Sequence, residues 1–329
     1  MKPNNKILTR QRSLNIFRLL TSIILITALL VIIDIRAMFD GLMKANLYLV
    51  LAAIILANVT TILYAWRWKY VLKSGNVSLR LFQSLRLYYI GSYASSFLPG
   101  SWGGDLVRPM YLFRKNPGRR SFLYASVFFE RLCGLFVVIF LASIGSIWVV
   151  VNYRKLFFMG IPAVFMIGLI LIFSVIQWAG KPKGTISGPL KKYQAWIADF
   201  CGSISLFTRN YRLLATVLGI STLAQIVWIL VYWLLLLALG VKANIILVLF
   251  ATSTSILMGA LPISLAGLGV REGSIVYLLG QFGVSPEKAS AAALLGLIPY
   301  LVFALNGGIM AAYSTRFDGG LKKRGRSYR

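Results

Sequence analysis

Six stretches of this chain run for twenty residues or more on mostly apolar side chains, roughly 16–35, 45–66, 121–150, 156–178, 213–239 and 286–314. About twenty such residues span the hydrocarbon of a bilayer as a helix, where no water satisfies an open backbone group. The composition agrees, since 58% of the 329 residues are hydrophobic and only 13% are charged, which excludes an ordinary soluble globule. The expectation is an all-α polytopic membrane protein. Asp34, Arg36 and Asp40 follow the first run in place of a small-residue cleavage site, so it reads as a retained span and not as a removable signal.

The formal net charge of +27 suggests nucleic acid until the cations are placed. Five clusters, 2–18, 67–86, 108–120, 181–212 and 316–329, hold 5, 5, 5, 6 and 6 of the 35 Lys and Arg. Such residues concentrate in cytoplasmic loops, so the clusters belong on one side and both termini are expected in the cytoplasm, in an inner-membrane protein. The connections 36–44, 152–155, 240–244 and 283–288 are poor in cations and belong outside. No soluble domain with interleaved aromatics is present to read a nucleic acid. The basic loops serve as topology signals and attract anionic lipid headgroups. Membrane lipids, anionic or phosphate-bearing, are therefore the expected partners, with a homo-oligomer or a lipid-biosynthesis protein beside them. Trp66, Trp68, Trp148, Trp178 and Trp228, and the cluster Asn152 to Lys155, are expected to be interfacial anchors.

Two stretches break the apolar pattern. Leu98-Pro99-x-Ser101-x-x-Gly104-x-x-Val107-Arg108 aligns without a gap on Leu261-Pro262-x-Ser264-x-x-Gly267-x-x-Val270-Arg271. The first lies between two basic clusters and should enter and leave from the cytoplasm; the second lies between cation-poor connections and should do so from outside. The fold expected is therefore about six full transmembrane helices plus two re-entrant helical hairpins in an inverted-topology repeat, with repeats at about 16–180 and 181–315 and a basic tail over 316–329. Pro99 and Pro262 stop a helix, and Gly100, Gly103, Gly104, Gly267 and Gly269 permit turns and close backbone approach. Each second half-helix, beginning near Asp105 or Val270, would present open N–H groups to an anion with Arg108 or Arg271 beside it, and the two arginines would share a hydrated chamber. A phosphate is the expected guest, with Ser101 and Ser264 among its contacts.

Only eight acidic residues occur, and Asp105, Glu130 and Glu272 are the three inside or beside apolar segments. Glu130-Arg131 is the sharpest case, about ten residues into the run 121–150. An ionisable group at that depth costs at least roughly 2.5–3.5 kcal/mol, so it is usually paired, cavity-facing and functional. The plainer alternative is that the three acids only neutralise Arg108, Arg131 and Arg271. Other chemistry finds little support. The chain has no His, its two Cys (Cys133 and Cys201) suggest neither disulfide nor zinc site, and nucleotide loops and nucleophile elbows are missing. No cofactor or metal is expected, and an intramembrane enzyme is disfavoured. A scaffold or accessory subunit that binds lipid or a lipid-modifying enzyme is the competing reading to a transporter.

The order Leu98-Pro99-Gly100, Gly103-Gly104-Asp105, Arg108, Glu130-Arg131, Leu261-Pro262, Gly267-x-Gly269-x-Arg271-Glu272 resembles the flippase-like transmembrane domain of the lysylphosphatidylglycerol synthase family, over about 15–315. The resemblance implies a lipid translocator. In the synthases this domain moves aminoacylated phosphatidylglycerol between leaflets, and stand-alone relatives are associated with other lipids or lipid-linked glycans. No aminoacyltransferase domain follows the last span here, so synthesis of a lysyl lipid is not expected.

Overall fold

A computed structural model describes residues 40, 42–95, 103–113, 118–179, 190–261, 264 and 267–324. The expected first span, 16–35, lies outside the described residues, as do Pro99, Gly100, Ser101 and Pro262. Every regular element among the described residues is a helix: α1 Leu47–Ser74, α2 Leu81–Ser95, α3 Gly103–Phe113, α4 Arg120–Tyr153, a 3-10 turn Leu156–Met159, α5 Gly160–Ala179, α6 Leu190–Arg209, α7 Tyr211–Ala238, α8 Ile245–Ala260, α9 Val270–Gly280, α10 Pro286–Leu295 and α11 Ile298–Arg324. Among the described residues five stretches are long and apolar enough to cross a membrane: Leu47–Ser74, Arg120–Tyr153, Leu156–Val175, Tyr211–Ala238 and Pro286–Ala312. They match the last five of the six runs, and the chain is an all-α polytopic membrane protein.

The helix starts follow local chemistry. Asn46, Asn210 and Asn244 cap α1, α7 and α8, each side-chain oxygen accepting from backbone N–H groups of the first turn that would otherwise lack a partner. Pro286 opens α10, where a missing N–H costs nothing. The run 286–314 is interrupted at Gly296-Leu297, so it forms two helices and not one. Pro109 sits inside α3 and does not stop it; in so short a helix it falls near the end of the first two turns.

The helices pack in a reciprocal pattern. α1 lies along α7, α4 packs on α8, and α11 packs on α2, while α2 folds onto α3 and α8 onto α9. α4 of the first half thus packs on the hairpin of the second, and α11 of the second half packs on the hairpin of the first. The main core joins both halves through Val50, Ala57, Leu235, Phe250, Ile275 and Phe303. Asn46 N–H donates to the Ala238 carbonyl at 2.9 Å, which fixes the start of α1 beside the end of α7. At that end Lys155 Nζ donates to the Gln281 carbonyl at 3.1 Å, and Phe158 packs edge-on against Phe250. The opposite end gathers Gly75, Arg119, Asp199 and Asn210 around a cavity of about 600 Å³. Cation-poor and cation-rich connections therefore collect at opposite ends, as the charge pattern anticipates.

Three expectations change. Arg67, grouped with the loop cations, lies within α1 and is buried. Trp68 and Trp228 are buried as well, whereas Trp66 is exposed as an anchor would be. The physical reason is the length of α1, whose final turns carry Arg67 and Trp68 against the bundle interior and not into a loop. The segment 181–212, expected as a connection, contains α6, whose apolar side packs Phe200 on Phe128 and Phe207 on Phe129 of α4.

Candidate functional site

Glu130 is fully buried on α4, two to three turns in from its start, and its partners come from three other helices. Tyr88 of α2 donates its hydroxyl to Oε1 at 2.5 Å, and Arg108 of α3 donates from Nη2 to the same oxygen at 2.9 Å. Arg67 of α1 places Nε 3.8 Å from Oε2 and donates from Nη1 to Ser221 of α7 at 2.8 Å. Arg108 also bonds Asp105 Oδ1 at 2.6 Å, three residues earlier on its helix. The second Asp105 oxygen is paired with Arg131 Nη2. Among the described residues three guanidiniums thus meet two carboxylates, which leaves one positive charge in excess.

The enclosure of these charges differs from group to group. Arg108 is only 1% exposed, and its faces are covered by Tyr88 at 3.9 Å and Trp68 at 4.9 Å from the ring centres. Trp68 is itself held by donating Nε1–H to Ser126 at 3.1 Å. Arg131, by contrast, has 39% of its side chain exposed. A buried charge repays its desolvation only with good geometry and further hydrogen bonds. Arg108 has that setting, and Arg131 is the member with room for another partner.

The second motif builds a smaller cluster. Glu272 Oε2 accepts from the Gly269 backbone N–H at 2.8 Å, and Oε1 accepts from Arg271 Nε at 2.9 Å and from Nη2. The start of α9, expected to be open to an anion, is therefore filled by a carboxylate of its own first turn, which suits the positive helix end. Arg271 stacks on Tyr300 of α11, 4.1 Å from the ring centre, and 12% of its side chain is exposed. Ser264 is buried in the break between α8 and α9, and its hydroxyl has no hydrogen-bond partner among the described residues.

Both hairpins close through glycine. A Cβ on Gly104 would overlap the Gly91 carbonyl oxygen, and one on Gly267 would come within 2.7 Å of the Gly259 carbonyl oxygen. Gly267 and Gly269 also adopt φ of +78° and +81°, a region costly for other residues. Gly91 and Gly259 in turn lie against Arg108 Cγ and Arg271 Cβ, at 3.1 and 3.2 Å from the position of an added Cβ. Each motif thus seats its arginine beside a glycine of the preceding half-helix. Gly103 begins α3.

Of the residues singled out from sequence, Arg108, Asp105, Glu130 and Arg131 come together in one cluster, and Arg271 and Glu272 in another. Tyr300, stacked on Arg271 of the second cluster, also feels the charge of Arg131 of the first. Sequence reasoning missed Arg67, Tyr88, Trp68, Gly91, Gly259 and Tyr300. The spacing Tyr64, Arg67, Trp68, Val71 is one helical face, and it is the signal that could have found the first of these. Among the described residues no three His, Cys, Asp or Glu side chains converge as a metal site would require.

These features define a polytopic helical membrane protein with two helix-break-helix hairpins and a buried, charge-paired interior. Residues 15–307 match the model of the lysylphosphatidylglycerol synthase TM region, and the chain belongs to that family. It is similar to the UPF0104 membrane protein MJ1595 of Methanocaldococcus jannaschii, 24% identical over 306 residues, which cover 86% of this chain and 90% of the relative. A UPF0104 membrane protein of Methanothermobacter thermautotrophicus is 23% identical over 293 residues, 83% and 87% of the two chains. UPF0104 membrane protein PH1989 of Pyrococcus horikoshii is 23% identical over 296 residues, 82% and 88%.

Proposed function

We propose that this protein moves a phosphate-bearing lipid, such as an anionic or aminoacylated phospholipid or a lipid-linked glycan, between the leaflets of the cytoplasmic membrane. The headgroup binds at Arg131 and Arg271, and the acyl chains stay in the lipid. The observation that carries this reading is the excess of one cation in the Glu130 cluster, with Arg131 the guanidinium that remains exposed. Water-poor surroundings make an uncompensated charge expensive, and an anionic headgroup removes it. Arg108 then acts as a positioning residue that holds Asp105 and Glu130, while Glu272 holds Arg271.

The exchange of α4 and α11 between the two hairpins supports two interlocked repeats of opposite topology, with the hairpins re-entrant from opposite faces and both termini cytoplasmic. Broken helices meeting in the interior are where such folds place their substrate. A non-transporting scaffold is the second reading, and the closure of Arg108 and the internal cap at Glu272 favour it.

Transport of a fluorescently labelled phosphatidylglycerol in proteoliposomes decides between them. Arg131→Ala and Arg271→Ala should each slow translocation by about tenfold or more while the purified protein keeps its melting temperature. Wild-type rates in both variants, or no translocation by the wild type above protein-free vesicles, would leave the scaffold standing.

A further inference from the structure

Tyr300 has an environment that packing does not account for. It occupies the first turn of α11, just after the Gly296-Leu297 break, with Pro299 before it. Trp228 meets its ring edge-on at 5.3 Å, and Phe303 does so at 6.2 Å. Both neighbours are buried, yet Tyr300 is 37% exposed. Its ring is held on the bundle while part of it faces open space. One face stacks on the Arg271 guanidinium.

Its hydroxyl is the second point. The Tyr88 hydroxyl donates to Glu130, and the Tyr89 hydroxyl donates to Asn58 Oδ1 at 2.9 Å. The Tyr300 hydroxyl has no such partner among the described residues. A phenol is a protonated donor at neutral pH, and hydrogen bonds to an ionised acceptor are the strong ones. Phenylalanine would serve the stacking on Arg271 equally well, so the hydroxyl is what packing leaves unexplained.

We infer that Tyr300 is a ligand of the transported headgroup: its O–H donates to an oxygen of the phosphate that Arg271 holds. This rests on the lipid-transport reading and adds to it a neutral donor beside Arg271. A phosphate engaged by Arg271 would lie at the guanidinium edge, beside the Tyr300 ring on which that guanidinium stacks.

The test uses the full chain in detergent, titrated separately with dihexanoyl phosphatidylglycerol, glycerol 3-phosphate and inorganic phosphate. Tyr300→Phe keeps ring, stacking and packing, and should weaken binding by about tenfold or more with an unchanged melting temperature. Tyr300→Ala should weaken it further. Loss in the lipid arm alone assigns the ligand to a membrane headgroup, and equal loss in all three arms assigns it to phosphate irrespective of the tails. Wild-type affinity in Tyr300→Phe, with binding lost in Arg271→Ala, overturns the hydroxyl assignment and leaves the transport reading intact. A loss of affinity matched by a fall in melting temperature also overturns it, since the hydroxyl would then be structural. Failure of the wild type to bind any of the three probes overturns both readings.

Discussion

The first hairpin and the second carry an arginine at the same register, Arg108 and Arg271, and surround it differently. Arg108 is fully enclosed, sandwiched by Tyr88 and Trp68 and bonded to carboxylates from its own helix and from α4. Arg271 keeps its carboxylate within one helix turn, has one aromatic face at Tyr300, and remains partly open. One arginine ties helices together. The other is held locally and is less completely enclosed.

The difference follows from where the carboxylate comes from. Glu130 arrives from a separate helix, so satisfying it requires α1, α2, α3 and α4 to be in place together. Glu272 is satisfied by Gly269 and Arg271 without a contribution from any other helix. A long-range network couples stability to assembly, whereas a local one frees its surroundings for a ligand.

The sharpest way to break the comparison is Glu130→Ala. It leaves Arg67 and Arg108 buried with Asp105 as the remaining carboxylate, and removing one partner of a buried ion pair costs about 3–5 kcal/mol. Unfolding in detergent, followed by circular dichroism, should show that loss; a change below about 1 kcal/mol would mean the cluster is far wetter than its burial indicates. Next in size is Gly104→Ala, whose added methyl meets the Gly91 carbonyl oxygen and should cost about 1–3 kcal/mol by prising α3 from α2. Cysteine cross-linking between the two helices should fall in step, and unaltered cross-linking would remove the hairpin closure on which Arg108 depends. The smallest effect is expected from Glu272→Gln. The amide still accepts from Gly269, so the loss should be about 1 kcal/mol, close to that of a helix cap. A loss as large as that of Glu130→Ala would erase the distinction between a local and a long-range pair.

Much of this was legible before any coordinates. Apolar run length identifies five of the spanning stretches, and the depth of Glu130-Arg131 within one of them marks the interior cluster. The two matching motifs fall at the junction of α2 with α3 and at that of α8 with α9, and α9 starts at Val270 as expected. Arg67 was misplaced because a cation at the end of an apolar run looks like the start of a loop, and only the continuation of α1 to Ser74 turns it inward. Tyr88 and Tyr300 carry no sequence mark, since aromatics are common in a membrane chain and their roles depend on partners 42 residues away in one case and 29 in the other. Gly91 and Gly259 were missed for the same reason: each matters because of a carbonyl approach between two half-helices.

The sequence by itself determined that this chain is helical and lies in a membrane, because the cost of unpaired backbone in hydrocarbon allows runs of that length and apolarity few other forms. It also named the charges that must be compensated. Tertiary structure decided which charge compensates which, since ion pairing in a low-dielectric interior depends on distances of a few ångströms between helices remote in sequence. Only that arrangement separates the closed Arg108 from the partly open Arg271 and the exposed Arg131.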